Sequence, residues 1–286
     1  RTASKYIPYT KTLKKEVQDA MGRGVYSLNK RFPSLSRTKS YWSVSPVLNR
    51  EKKFHDVRVG FEDDAEYLGT LGRFVHSIMC VSNPSLGKIQ NLDQFRQETL
   101  IRLLNAGDLG LISVWHPSFL TVLVNYFQEH SGAVLKALSK RNSRRYMEIS
   151  TFENQGNFEQ IWPNLKVISC WMDAASRNPA EELRAYFPNV YFQPKGLLAT
   201  EAVASFPVEP HPEPVLAVNS HFYEFQDAGT GQIRLAHQLE KGRQYTVVVT
   251  TGGGLYRYLL NDMIEITGFY QQAPTLRFIG KKDHVV

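Results

Sequence analysis

The spacing of apolar residues divides the chain into helical and extended stretches. Apolar side chains recur every three to four positions after Thr10, over 91–104 and from Phe119 to about His130, a spacing that predicts three amphipathic helices. A shorter helix is predicted over 179–187. Continuous apolar runs, which are typical of buried strands, lie between these helices at 109–115, 166–172 and 189–193.

The order of these elements predicts the fold class. Strands that alternate with helices indicate parallel pairing, with the helices packed on the faces of the sheet. After Pro207 the pattern changes to β-branched and aromatic runs punctuated by Gly and Pro, which predicts a β-rich part. The sequence Asp-Ala-Gly-Thr-Gly at 227–231 predicts a hairpin turn, and Gly252–Gly254 is better explained as a turn than as an anion-binding loop. We therefore predict an α/β protein with a boundary in the Pro-rich stretch 207–214.

Composition and cysteine content narrow the class of protein. With 286 residues, 42% of them apolar and 21% charged, the chain is long and apolar enough to form a sizeable core. No run approaches the ~18 apolar residues of a membrane helix. Two cysteines, Cys80 and Cys170, are too few for a disulfide framework and are typical of a reducing compartment. These features predict a cytoplasmic protein without a membrane partner.

The net charge of +7 is concentrated at the amino-terminal end. Residues 1–53 hold 13 basic and 3 acidic side chains, a balance of +10, whereas the rest of the chain carries −3. A solvated helix face with a basic loop explains this pattern best, and binding to nucleic acid, a membrane surface or a polyphosphate is the alternative. The basic residues are not interleaved with stacking aromatics, as a single-strand binder requires, so nucleic acid is not the expected partner.

Two carboxylates stand where a ligand site is expected. Glu201 follows Thr200 just after a predicted strand, and ligands of open α/β sheets bind at such strand ends. A threonine hydroxyl beside a carboxylate offers a phosphate donor and a hard oxygen ligand for magnesium. Asp262 lies between β-rich segments, and one carboxylate can accept hydrogen bonds from two adjacent ribose hydroxyls. Taken singly, each residue is better explained as a helix cap or a surface charge.

Ordered segments along the whole chain carry a family resemblance. They are Lys5–Thr10 (KYIPYT), Val114–Leu120 (VWHPSFL), Ile161–Leu165 (IWPNL), Leu198–Glu201 (LATE), His221–Phe225 (HFYEF) and the stretch from Tyr245 through Tyr256-Arg-Tyr and Asp262 to Asp283. Together they resemble the acyl acid amido synthetases of the auxin-responsive (Gretchen-Hagen) family and its bacterial members, a branch of the adenylate-forming superfamily. The Ser/Thr-Gly-rich part of the first nucleotide motif is expected before Arg1, so the chain is interpreted as a piece of a longer protein.

The resemblance implies a fold and an activity. The fold is the amino-terminal region of an adenylate-forming enzyme, with a mixed sheet and helices over 1–210, a smaller barrel-like β-rich subdomain over 211–280, and the start of a hinge to a further domain over 281–286. The activity implied is an ATP- and Mg²⁺-dependent ligation, in which a small carboxylic acid is adenylated and its acyl group passes to an amino acid. The resemblance implies no oligomeric state.

The resemblance also assigns seven positions to one nucleotide site. Gly196, Leu198 and Ala199 would lie against the adenine, Thr200 and Glu201 would act in catalysis at the phosphates with Glu201 as the magnesium ligand, Asp262 would hold the ribose, and Lys281 would contact the nucleotide.

Two positions depart from the family pattern. Asn261 replaces the usual glycine before the motif aspartate, and Lys281 replaces an arginine that would make a bidentate contact. These departures keep a catalytically silent scaffold among the alternatives, beside an acyl-coenzyme A ligase and a basic nucleic-acid-binding protein. The acyl pocket is not defined by the sequence, because its candidate aromatics Trp115, Phe119 and Tyr126 are better explained as part of a plain core.

Overall fold

The structure, a computed structural model, describes residues 7–43, 79–82, 84–151 and 157–282. In chain order the helices of these ranges are α1 (Lys11–Arg31), α2 (Leu92–Asn105), α3 (Ser118–Arg141), α4 (Ser143–Ser150) and α5 (Arg177–Arg184). The strands are β1 (Lys39–Trp42), β2 (Leu109–Ser113), β3 (Val167–Cys170), β4 (Tyr191–Pro194), β5 (Ser205–Phe206), β6 (Val215–Leu216), β7 (Phe222–Asp227), β8 (Ile233–Leu235), β9 (Gln244–Thr250), β10 (Tyr258–Tyr270) and β11 (Ala273–Lys281).

The chain divides into two compact units. One combines Arg1–Arg31 with Pro194–Val286, and the other is Phe32–Gln193. These divisions fall at other places than the predicted boundaries near 210 and 280, because α1 packs with the β-rich part that follows it distantly in sequence. The domain boundaries taken from the resemblance stay predictions.

The unit Phe32–Gln193 is a parallel sheet covered by helices. Its strands lie in the order β1, β2, β3, β4, and the pairs β1–β2 and β2–β3 are parallel. All four residues of β3 are buried, as expected of a strand covered on both faces. The parallel pairing predicted from the alternating pattern is therefore confirmed.

Helix α3 extends beyond its predicted end. We expected it to stop near His130, and there the backbone leaves helical geometry (φ −124°, ψ 21°). The helix nevertheless resumes and continues to Arg141, because Val134 and Leu138, one turn apart, are fully buried in the core. The sequence pattern had located the kink and missed the second segment.

Two large buried polar side chains of this unit, Trp162 and Arg145, donate to backbone carbonyls. The indole Nε1 of Trp162 donates to the Leu103 carbonyl at 2.9 Å. The buried Arg145 guanidinium donates to the carbonyls of Leu104 and Ile161 and to the Glu148 carboxylate. An arginine can be buried when such acceptors match its fork of donors.

The unit that contains α1 is built on an antiparallel sheet of seven strands. Their order is β5, β6, β11, β10, β9, β7, β8, and the paired neighbours run antiparallel. The predicted turn at 227–231 joins β7 to β8, and the Asp227 carboxylate accepts from the amides of Gly229 and Thr230. This turn is confirmed.

Helix α1 packs closely on the turn 252–254 that links β9 to β10. The Thr10 hydroxyl donates to the Gly252 carbonyl at 2.8 Å. A Cβ on Gly253 would lie 2.8 Å from Leu13 Cδ2 and 3.1 Å from the Pro8 carbonyl oxygen, so a side chain there would displace Leu13. The glycine run therefore forms a turn, as predicted, and its lack of side chains admits the helix.

Among the described residues, no helix combines the length and apolar character that crossing a membrane requires.

Candidate active site

Thr200 and Glu201 form the tip of a tight hairpin, here called the tip hairpin (198–203). The Ala199 amide donates to the Ala202 carbonyl at 2.9 Å, and the Ala202 amide donates back at 3.3 Å. A bridge between Leu198 and Val203 continues the pairing. The two tip residues are thus the ones that the hairpin presents outward, with Thr200 exposed and Glu201 half-buried.

Tyrosines hold the tip from two other parts of the same unit. The Tyr9 hydroxyl donates to the Thr200 carbonyl at 3.0 Å. The Tyr258 hydroxyl, at the start of β10, lies 3.4 Å from Glu201 Oε1, to which it donates. Both tyrosines belong to segments that carry the family resemblance, but the sequence alone assigned them no role.

Asp262 is aimed by an irregularity in β10. On the β9 side, the register passes from Leu259 opposite Val248 to Met263 opposite Thr246, so β10 bulges between Leu259 and Met263. Asn261, inside this bulge, has φ +58°, a left-handed conformation that glycine and asparagine adopt most readily. Bulges of this kind redirect a side chain beside a functional site. Asparagine in place of glycine is therefore compatible with the same backbone.

Lys281 faces Asp262 across the β10–β11 pair. Its Nζ lies 2.6 Å from Asp262 Oδ1, and it also donates to the Leu260 carbonyl at 3.4 Å. Burial raises the pKa of Asp262 above its usual range, while the Lys281 ammonium opposes that rise. Lysine therefore pairs with Asp262 as a point charge.

Glu201 and Asp262 share one electrostatic environment. After burial, the negative charge of the Glu201 carboxylate is the other cause that raises the pKa of Asp262. Tyr258 and Asp262 lie on the same strand, and Tyr258 reaches Glu201. The two acidic residues singled out from the sequence thus converge within one unit.

Just before the tip hairpin, the backbone at Gly196 passes very close to the backbone of Ser205. Gly196 has φ +80°, and a Cβ there would lie 2.6 Å from the Ser205 carbonyl oxygen. The Leu197 amide donates to Ser205 Oγ at 2.9 Å. Only glycine fits this position, and from it Leu198 and Ala199 run directly into the tip hairpin.

A histidine that the sequence analysis did not single out supports the hairpin. The Val203 amide donates to His221 Nε2 at 3.3 Å, and the Tyr223 hydroxyl donates to the Val203 carbonyl at 2.6 Å. His221 Nδ1 in turn lies 2.8 Å from Glu16 Oε2 on α1. Burial lowers the pKa of His221, although Glu16 opposes the shift. The HFYEF segment was the available signal, but nothing in the sequence pointed to Glu16.

The side-chain oxygens at the tip of the hairpin suit a site for magnesium and phosphate. Among the described residues, no three His, Cys, Asp or Glu side chains gather as a metal-binding group. Magnesium does not require such a cage, since it is usually held by one or two carboxylates together with substrate phosphates and water. The Glu201 carboxylate is a hard ligand of that kind, and the Thr200 hydroxyl beside it can donate to a phosphate.

The three aromatics considered for an acyl pocket have separate neighbours. Trp115 lies in the loop before α3 rather than on the helix, with its ring 5.4 Å from that of Trp171. Phe119 packs against the rings of Tyr41 and Phe95, at 6.4 and 6.3 Å. Tyr126 stacks on His130 at 4.4 Å. These contacts favour packing over a shared pocket.

Comparisons with known proteins support the family. Residues 214–281 match the GH3 family central domain. A probable indole-3-acetic acid-amido synthetase GH3.9 of Oryza sativa subsp. japonica is 28% identical over 146 residues, which cover 48% of this chain and 33% of the relative. The indole-3-acetic acid-amido synthetase GH3.2 of Arabidopsis thaliana is 26% identical over 184 residues, or 53% of this chain and 32% of the relative.

Solved structures show the same fold. A GH3.15 acyl acid amido synthetase matches with a TM-score of 0.74 at 17% identity, covering 94% of this chain and 52% of that chain. AtGH3.15 acyl acid amido synthetase in complex with 2,4-DB matches with a TM-score of 0.78 at 17% identity, covering 98% and 54%. The predicted fold class is confirmed. The chain spans about half the length of these structures, and its matches cover about a third of the curated relatives.

Proposed function

We propose that this chain, whose residues 214–281 match the GH3 family central domain, carries the nucleotide-binding part of an ATP-dependent acyl acid amido synthetase. The observation that supports this most directly is the convergence of Glu201 and Asp262 in one unit, beside a threonine and a lysine. Its relatives are named for indole-3-acetic acid and for acyl acids. The substrates proposed for this chain are a small carboxylic acid, ATP and an amino acid.

Thr200 and Glu201 are the proposed phosphate and magnesium contacts. They occupy the outward tip of a hairpin whose backbone is fixed on both sides, so their oxygens are presented in a defined geometry. The exposed Thr200 hydroxyl can donate to a phosphate oxygen, and the Glu201 carboxylate can ligate the metal. A magnesium ion bound with the nucleotide supplies positive charge, which offsets the repulsion between an attacking carboxylate and the phosphates.

Asp262 is the proposed ribose contact and Gly196–Ala199 the proposed adenine surface. The Asp262 side chain is only 3% exposed, whereas that of Lys281 is 51% exposed. Ribose hydroxyls therefore reach the carboxylate by sharing it with Lys281 or by displacing the lysine toward solvent. Either route leaves Lys281 beside the nucleotide, where its positive charge also favours the phosphates.

Two steps make up the proposed reaction. An oxygen of the acyl acid attacks the α-phosphorus of ATP, the bond from that phosphorus to its bridging oxygen breaks, and pyrophosphate leaves. The amine of the amino acid then attacks the acyl carbon of the resulting acyl-adenylate, AMP leaves, and the amine proton passes to solvent. The chain's own residues hold the nucleotide and orient its α-phosphate in both steps.

Pyrophosphate release by the intact protein tests this function. With ATP, Mg²⁺ and a panel of small carboxylic acids, at least one acid is expected to release pyrophosphate. Glu201→Gln is expected to remove most of that release, whereas Glu181→Gln, on the exposed surface of α5, leaves it intact. No release with any acid, or full activity of Glu201→Gln, would contradict the proposal.

The acceptor distinguishes the proposed synthetase from an acyl-coenzyme A ligase. Once an active acid is found, amino acids and coenzyme A are compared as acceptors, and amide formation is expected with an amino acid only. A thioester product would favour the ligase instead. The cytoplasmic location, which was predicted from the two cysteines, stays a prediction.

A further inference from the structure

The tip hairpin is held by side chains that are distant from it in sequence, and one pair of them forms a continuous hydrogen-bonded path to it. We propose that Glu16 and His221 are positioning residues, in which a neutral His221 with its proton on Nδ1 fixes Val203 and thereby the Thr200–Glu201 tip. This inference rests on the proposed function, because it takes that tip as the phosphate and magnesium contact.

The tip hairpin requires such support. Its pairing consists of the Ala199–Ala202 hydrogen bonds and one bridge between Leu198 and Val203, and it continues only to the Leu197 carbonyl, which accepts from the amides of residues 204 and 205. An isolated two-stranded hairpin is marginally stable at best in water. The geometry of the two tip residues is therefore set by what binds the hairpin from outside.

The hydrogen bonds at His221 define its protonation state. Val203 N–H is a donor, so the Nε2 that receives it carries no proton. The one ring proton of a neutral imidazole then lies on Nδ1, which donates to Glu16 Oε2. An imidazolium would place a second N–H against the Val203 N–H, which breaks this contact.

Glu16 only accepts hydrogen bonds at its position. Its carboxylate receives the His221 Nδ1–H and also the Gly252 N–H, which lies 3.0 and 3.1 Å from the two oxygens. An amide of the same shape offers one oxygen and one NH₂, so a donor would face a donor at one of the two contacts. Along the path from the Gly252 turn through Glu16 and His221 to Val203, the donor and the acceptor of every hydrogen bond are therefore fixed.

Burial makes this path rigid. The His221 side chain is 0% exposed and that of Glu16 is 21% exposed, so water competes little for these hydrogen bonds. The Tyr223 hydroxyl binds the Val203 carbonyl, which leaves both backbone groups of Val203 held by side chains of one strand segment. Val203 is two residues from Glu201, so a shift at one is transmitted to the other.

Two replacements of His221 separate its two contacts. Glutamine places its amide where Nε2 stands and can accept from Val203 N–H, whereas asparagine reaches only the Nδ1 position near Glu16. If support of the tip is what matters, His221→Gln is expected to retain clearly more activity than His221→Asn. Equal losses in the two variants, both folded by circular dichroism, would overturn the proposal.

Glu16→Gln tests whether the path requires a side chain that only accepts hydrogen bonds. We expect kcat and kcat/KM for pyrophosphate release to fall together by roughly 10–100-fold, the usual loss when an outer residue that orients a ligand is altered. Asp19→Asn is the matched control, because it makes the same change on an exposed position of α1. Wild-type kinetics for Glu16→Gln would overturn the proposal.

Nitrogen NMR of histidine-labelled protein reads the tautomer without any activity measurement. The His221 signal, assigned by its absence from His221→Gln, is expected to show a protonated Nδ1 and an unprotonated Nε2. A protonated Nε2 in the wild type would overturn the proposal. If the wild-type protein releases no pyrophosphate, the proposed function fails, while the tautomer is still decided by these spectra.

Discussion

Lys281 Nζ lies 2.6 Å from Asp262 Oδ1, and the pair joins a lysine that is half exposed to an aspartate that is almost completely buried. A ligand therefore approaches the Asp262 carboxylate from the side on which Lys281 meets solvent. An ion pair of this kind stabilises the folded state less than its short distance suggests, because the buried partner loses its hydration. We therefore expect Asp262 to be retained for binding rather than for stability.

Asp262→Asn is expected to separate binding from stability. Because the folded protein raises the pKa of Asp262 above its unfolded value of 3.8, ionisation of this carboxyl is harder in the folded state. The wild type therefore loses stability relative to the variant as pH rises from about 3.8 through the folded pKa, by about 1.4 kcal/mol per unit of pKa difference. Lys281 is exposed enough to remain hydrated without its partner.

The measurements are urea unfolding at pH 4 and pH 7 and a titration with ATP. At pH 7 Asp262→Asn should unfold no earlier than the wild type, with the difference shrinking toward pH 4. Its affinity for ATP should fall about tenfold or more, the loss expected for hydrogen bonds to a charged acceptor. A variant that is less stable at pH 7 but binds ATP normally would reverse this assignment.

Lys281→Arg is expected to strengthen nucleotide binding. Arginine keeps the positive charge and adds a planar fork, which can hold Asp262 and a ligand oxygen at the same time. Calorimetric titration with ATP should show an affinity gain of about threefold or more. Lys282→Arg, whose lysine contacts Gln226 on the surface, is the control and should change nothing. A loss of affinity in Lys281→Arg would mean that lysine is the better residue at this position.

Asn261 is expected to tolerate glycine and to reject a β-branched residue. Its φ of +58° places the backbone in the left-handed region, where a bulky side chain costs about 1–2 kcal/mol. Asn261→Gly should retain pyrophosphate release, and Asn261→Val should lower the free energy of unfolding by about that amount. Equal stability of the two variants would show that the bulge can relax.

The sequence predicted what local patterns encode and missed what tertiary contacts decide. The periodicity before His130 predicted the first half of α3. The second half forms because Val134, beyond the kink, is buried in the core. The substitution at Asn261 looked like a loss until its backbone angle showed why asparagine fits. No local pattern, however, reports that a carboxylate on α1 will meet a turn more than two hundred residues later.

The residues of the candidate site also divide into those that the sequence predicted and those that it missed. Glu201 and Asp262 could be named from residue type, position after a strand and family resemblance, and the structure brings them together. Glu16 and His221 could not, because a glutamate on an amphipathic helix is normally a solvated residue. Their pairing depends on the close packing of α1 against the glycine turn, which is a property of the assembled unit.

The close packing of α1 on that turn predicts opposite effects of two glycine substitutions. A Cβ on Gly252 would lie 2.9 Å from Thr12 Cβ and 2.6 Å from Glu16 Oε1, so Gly252→Ala should lower the free energy of unfolding by about 1–3 kcal/mol. A Cβ on Gly22, inside α1, meets no atom within 4 Å. Gly22→Ala should therefore raise stability by about 0.5–1 kcal/mol. Urea unfolding of both variants measures the contrast, and losses in both would indicate that α1 is not packed as described.

The stability of this unit is expected to fall in weak acid because of His221. Burial lowers its pKa below the unfolded value of 6.5, and the groups that face it are the Glu16 carboxylate on α1, the Tyr223 ring on β7 and the Val203 amide. The unfolded state therefore binds the proton more readily, and stability is lost as pH falls below about 6.5 toward the folded pKa. The loss approaches about 1.4 kcal/mol per pH unit for this one site. Urea unfolding between pH 7.5 and 5.5, on the wild type and on His221→Gln, measures it. The other histidines contribute equally to both proteins, so the variant should show the shallower dependence, and identical dependences would mean that His221 is not held neutral.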